Sequence, residues 1–137
     1  MISKTNQYAI RAVLYLAQEA ADHPVRASQV ADGLGLPANY LSKILHALAR
    51  AGVLASERGP HGGFRLARAP EQLSLAQVMA PFDSVVQQRT CLLGRAECSD
   101  DKPCRLHDRW KAASDPVIGF FNHTMVADLI GIMDPCG

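Results

Sequence analysis

Residues 33–52, Gly33-Leu34-Gly35-Leu36-Pro37-Ala38-Asn39-Tyr40-Leu41-Ser42-Lys43-Ile44-Leu45-His46-Ala47-Leu48-Ala49-Arg50-Ala51-Gly52, decide the fold. Glycines break the chain at the start, Pro37 suits the entry to a helix, and Tyr40, Leu41, Ile44, Leu45, Leu48 and Ala49 recur at three- and four-residue spacing. Just upstream, after a turn at Asp22-His23-Pro24, the segment from Val25 to Gly33 turns Val30 and Ala31 inward. Two helices joined by a short glycine-bearing turn form a helix-turn-helix, and the second is the one that would enter a major groove. Earlier still, Ala9, Ile10, Ala12, Val13, Leu14, Leu16 and Ala17 predict a well-buried helix from about Thr5 to Ala20, with Thr5 as its N-cap.

The segment after the second helix extends the motif. Val53-Leu54-Ala55-Ser56 and Phe64-Arg65-Leu66 read as two short strands around Glu57-Arg58-Gly59-Pro60-His61-Gly62-Gly63. A tip with three glycines, a proline, an arginine and a histidine can approach another molecule closely and carry positive charge to it. It therefore reads as the wing of a winged helix, with Arg58 suited to a narrow, strongly negative minor groove and His61 and Gly62 beside it. An ordinary surface hairpin is the alternative for this segment in isolation. A phosphate-binding P-loop fits worse, because neither its residue order nor a subsequent helix with Lys-Ser/Thr is present. On the second helix, Asn39 and Ser42 can exchange hydrogen bonds with base edges, while Lys43 and Arg50 suit phosphates. Tyr40 is expected mainly to pack.

Charge follows the same division. Residues 1–70 hold eight Lys/Arg against four acids, and residues 71–137 hold six against nine. A basic first half suits a polyanionic partner, which the helix-turn-helix and wing make double-stranded DNA, and an acidic second half carrying the cysteines suits a separate task. The 137 residues suffice for one compact domain with an appendage. No apolar run reaches the length of a membrane span, and residues 1–7 lack the basic-then-apolar order of a signal peptide, so the expected location is the cytoplasm.

In that reducing compartment, clustered cysteines argue for metal or redox chemistry over structural disulfides. Cys91, Cys98, Cys104 and His107 fall within seventeen residues, separated by six, five and two others. Thiolate sulfur and imidazole nitrogen suit zinc or an iron–sulfur cluster, and the first two gaps exceed those usual in zinc knuckles. Pro103 places Cys104 at the start of a helix, which would put Cys104 and His107 on one face as i and i+3 neighbours. Cys136 is read as a surface thiol outside this set. There is no Cys-x-x-Cys, no His-Glu-x-x-His and no placed nucleophile and base, which argues against a thiol oxidoreductase or a hydrolytic zinc enzyme.

Ser74 is expected to cap a short helix through Leu75, Val78 and Met79. From Cys104, apolar residues at Leu106, Trp110, Ala113, Val117, Ile118, Phe120 and Phe121 form a long helix needing a partner surface, most economically a second copy of the chain. Asp115-Pro116 should kink it, with Ser114 and Asp115 restarting it as caps. Thr124 is then expected to cap a last short helix from Met125 to Ile130.

The helix-turn-helix, the Arg58-Gly59-Pro60-His61-Gly62-Gly63 tip, the three loop cysteines and the closing helix, together with Tyr8-Ala9, Tyr40-Leu41 and Phe121-Asn122, resemble the Rrf2 family of bacterial transcription regulators. The resemblance covers nearly the whole chain, and the three-cysteine loop is its most specific part. It implies a homodimer on a palindromic operator, with an iron–sulfur cluster on Cys91, Cys98 and Cys104 controlling DNA binding, 2Fe–2S in preference to 4Fe–4S. His107 matches the fourth ligand of the branch that regulates cluster assembly. In the nitric-oxide-sensing branch an acidic residue supplied by the partner does that job, and here its position is Gln7, a poor iron ligand. Ser42 departs from the acid that the cluster-assembly branch uses in choosing operators, and Pro116 departs from an uninterrupted dimer helix. Structural zinc remains the alternative occupant. The expected architecture is therefore mainly α: a winged helix-turn-helix DNA-binding domain over residues 1–82, a cysteine-bearing cluster loop over 83–104, and a C-terminal dimerisation helix and tail over 105–137.

Overall fold

The computed structural model describes residues 2–82 and 105–130. Among these, five α-helices run in the order α1 (Lys4–Glu19), α2 (Ala27–Leu34), α3 (Ala38–Arg50), α4 (Leu75–Met79) and α5 (His107–His123). A two-stranded antiparallel sheet, β1 (Leu54–Glu57) and β2 (Gly63–Leu66), lies between α3 and α4, and short 3-10 turns occupy Pro70–Gln72 and Val126–Leu129. The mainly helical winged architecture expected from the sequence is the one observed.

Burial follows the periodicity that the sequence displays. Ala9, Ala12, Val13 and Leu16 of α1, Val30 and Ala31 of α2, and Leu41, Leu45 and Leu48 of α3 are buried together with Val53, Phe64, Leu73, Val78 and Val126. Each such large aliphatic side chain contributes roughly 1.5–3 kcal/mol by leaving water, so this cluster dominates the stability of the winged half. A smaller cluster joins Leu75, Ala76 and Met79 of α4 to Phe121 of α5, flanked by Ile2, Ile10, Val117 and Leu129. α5 is thus packed on α4.

Several boundaries differ from the sequence expectation for identifiable reasons. Ser3 caps α1, its Oγ accepting from the Asn6 amide at 3.1 Å, while the Thr5 hydroxyl is bonded to the Tyr40 hydroxyl. α2 begins two residues after Val25, because Val25 is claimed by a β-bridge to Phe64, with amide-to-carbonyl distances of 3.0 and 2.8 Å. Ser74 does cap α4, in a capping box with Gln77. α5 begins at His107, after a turn at residues 105 and 106. That is later than the start expected at Cys104, and Cys104, with its expected i, i+3 pairing to His107, lies outside the described residues.

α5 also runs through Pro116 as one element. Ser114 restarts nothing: it is buried, and its hydroxyl donates to the Trp110 carbonyl at 2.7 Å. Pro116 and Ala112 are both exposed, so the carbonyl that loses its donor there stays open to water. Thr124 ends α5 in place of opening the next helix, and that next element is a 3-10 turn in which Asp128 accepts from the Met125 amide at 2.8 Å. Beyond α5 the chain returns to the winged half. The Leu75 amide donates to the Thr124 carbonyl at 2.9 Å, and the Val126 amide to the Leu73 carbonyl at 2.8 Å.

Candidate nucleic-acid interface and metal-ligand residues

Pro37 is the N-cap of α3 and offers no side-chain cap, so the first amides of the helix are left for solvent or a ligand. Ala38, Asn39, Tyr40, Lys43, His46 and Arg50 are exposed along this helix, whereas Ser42 is half-buried. The expected polar face therefore exists, with Ser42 at its margin. Tyr40 is 38 % exposed. Its ring meets Tyr8 edge-on at 5.7 Å, which ties the start of α3 to α1. Arg11 fixes α1 to α2 by donating to the Leu34 carbonyl at 3.1 Å.

The wing is a strand pair in the register Leu54↔Leu66, Ala55↔Arg65, Ser56↔Phe64 and Glu57↔Gly63. Arg58, Gly59, Pro60 and His61 are exposed at its tip. Gly62 is buried, and a Cβ there would stand 2.2 Å from the Glu57 carbonyl oxygen, so its part is to let the hairpin close. Gly63 has φ +150°, and a Cβ on it would meet the Val25 backbone at 2.5 Å. An exposed Arg65–Glu57 pair at 3.6 Å braces the strands, a contact of about 0–1 kcal/mol. His46 of α3 packs edge-on against Phe64 of β2 with ring centroids 5.2 Å apart, so helix and wing present as one surface.

Arg26, which no sequence motif singles out, also belongs to this surface. Its Nη2 donates to the Pro60 carbonyl at the wing tip. Only its place beside Val25, at the entry to α2 where Ser, Thr, Asp or Asn would be usual, hinted at it.

Of the metal-ligand set, His107 lies within the described residues. It is 5 % exposed at the first position of α5. Cys91, Cys98 and Cys104 lie outside the described residues, as does Cys136. Among the described residues, no three His, Cys, Asp or Glu side chains are placed to hold a metal ion. No helix among them is long and apolar enough to cross a membrane.

Comparison with known proteins agrees with this geometry. The family profile of Rrf2, described as an iron-dependent transcriptional regulator, matches residues 2–131. A protein of Aquifex aeolicus bearing the name HTH-type transcriptional regulator is 34% identical over 134 residues, covering 96% of this chain and 92% of its own. The HTH-type transcriptional regulator IscR of Photobacterium profundum is 30% identical over 129 residues, covering 94% of this chain and 74% of its own. In structure, CymR, the global cysteine regulator of B. subtilis, superposes with a TM-score of 0.80 at 22% identity, covering 98% of both chains. IscR of T. potens does so with a TM-score of 0.75 at 20% identity, covering 100% of this chain and 93% of its own. These relatives are transcription regulators and not enzymes. A basic winged helix built on this core, matched by that profile from residue 2 to residue 131, makes the chain a member of the Rrf2 family of DNA-binding transcriptional regulators.

Proposed function

We propose that the chain is an iron–sulfur-dependent regulator that binds a palindromic operator as a homodimer in the cytoplasm. The observation that carries this reading is His107, buried at the head of α5 and coming after Cys91, Cys98 and Cys104 in sequence. Three thiols and an imidazole are donors that an iron–sulfur cluster accepts, so the donor set fits, and these four residues would hold it. When bound, a cluster supplies a centre that oxidants, nitric oxide or iron supply can alter. The IscR name of several relatives and the iron-dependent description of the family support this assignment.

The chain's own residues provide the readout. α3 lies in a major groove with Asn39 and Ser42 at base edges and Lys43 and Arg50 on phosphates, while Arg58 and His61 carry the wing to the adjacent minor groove. α5 supplies the dimer contact, since Phe120 is 56 % exposed on it. α5 packs on α4 through Phe121, Leu75, Ala76 and Met79, so a shift of α5 caused by a change at His107 would reach the winged half through that contact. Regulation requires the two ligand states to differ in DNA affinity, and the switch can be no larger than that difference.

Anaerobic purification tests the assignment. Wild type should be coloured and carry iron with acid-labile sulfide, and Cys98→Ala should carry neither. A colourless wild type after cluster reconstitution would overturn it. The same donor set also matches a closed tetrahedral zinc site, the second reading, which bound zinc without sulfide would favour.

A further inference from the structure

We propose that Arg26 is a wing-positioning residue: its guanidinium holds the Pro60 carbonyl so that Arg58 and His61 meet DNA from a preset hairpin. The inference rests on the winged helix docking on DNA through α3 and the wing. Arg26 occupies the N-cap of α2, yet its side chain donates to the wing tip, thirty-four positions along the chain. Arginine is a poor choice for an N-cap, and breaking a local preference is expected where the side chain serves another purpose. Next to it, Val25 bonds Phe64 through two backbone hydrogen bonds, and Gly63 allows the hairpin backbone to lie against Val25.

The return strand of the wing is therefore fixed from below by Val25, and its tip by Arg26. Between Glu57 and Gly63 the tip has one backbone bond of its own, from the Gly62 amide to the Gly59 carbonyl at 3.0 Å. With Gly59 at φ +103° and Gly62 lacking a side chain, that stretch is conformationally permissive. A tip held in one pose forgoes the ordering cost that a loose one meets on binding, so the hydrogen bond from Arg26 is expressed as DNA affinity.

Arg26→Ser separates this role from a merely structural one, because serine is a better N-cap and so maintains α2 while the clamp is lost. The probe is a duplex recovered by selection from a randomised DNA library with the full-length wild-type chain. Arg26→Ser should melt no lower than wild type yet bind that duplex about threefold to tenfold more weakly, the effect of losing one solvent-exposed hydrogen bond. Arg58→Ala should also weaken binding, and the double variant should lose less than the product of the two single losses, since Arg26 acts through the wing. Wild-type affinity for Arg26→Ser beside a weakened Arg58→Ala would overturn the proposal. So would multiplicative losses in the double variant with a salt slope lowered by about one, the mark of a separate phosphate contact. If Arg58→Ala binds normally, the wing docking itself fails. Amide exchange at Gly62 without DNA then still decides the clamp: faster exchange in Arg26→Ser supports it, and unchanged exchange overturns it.

Discussion

Asn6 is fully buried on the inner face of α1, and among the described residues neither its amide nitrogen nor its carbonyl oxygen has a hydrogen-bond partner. A buried amide without partners carries its full desolvation cost, and an apolar side chain of similar size carries none. Asn6→Leu should therefore raise stability by about 1–2 kcal/mol, read as a higher urea midpoint with an unchanged slope; a lowered midpoint would show the amide to be satisfied in solution. Other residues are easier to read from sequence. Asn39, Lys43, Arg50, Arg58 and His61 are exposed as expected, because helical and hairpin periodicity fixes the outward direction. Gly62 and Arg26 were not legible, for their roles depend on what approaches from elsewhere: the Glu57 carbonyl closing on one, the Pro60 carbonyl on the other.

Among the elements, α5 is the most informative. It buries Phe121 against α4 while Phe120, in edge contact with it at 5.1 Å, is left 56 % exposed. A phenylalanine so open is costly to leave in water, and a second copy of α5 would cover it. Phe120→Asp should give a monomer by sedimentation velocity at concentrations where wild type is dimeric, with the melting of the monomer altered little. A dimer that survives Phe120→Asp would move the interface elsewhere. The existence of α1 to α5 could be read from spacing alone. Their ends could not, where a distant strand or residue competed: Val25 went to Phe64 and Thr5 to Tyr40. At Pro116 the helix continued because the position is exposed, which the sequence does not reveal.

At the scale of the whole molecule, DNA affinity should divide into a part set by phosphate contacts and a part set by base edges. Lys43→Ala is expected to weaken binding to all duplexes alike and to reduce the salt slope by about one. Asn39→Ala should change the preferred base at one position of each half-site by roughly tenfold to a hundredfold, measured by competition between duplexes differing there. Equal loss on all sequences from both variants would contradict the placement of α3 in a major groove.

The pairings Val25↔Phe64 and Ser74↔Met125 bring together positions far apart along the chain. A bundle of helices ordinarily collapses through neighbours in sequence, whereas these bridges oblige long loops to close before they return any energy. Mostly helical in composition, the protein carries in these two bridges a long-range element that a bundle of purely local contacts lacks. The wing and the segment after α5 would then be the last parts to lock during synthesis, and DNA-binding competence would arrive only after residue 126 has been made.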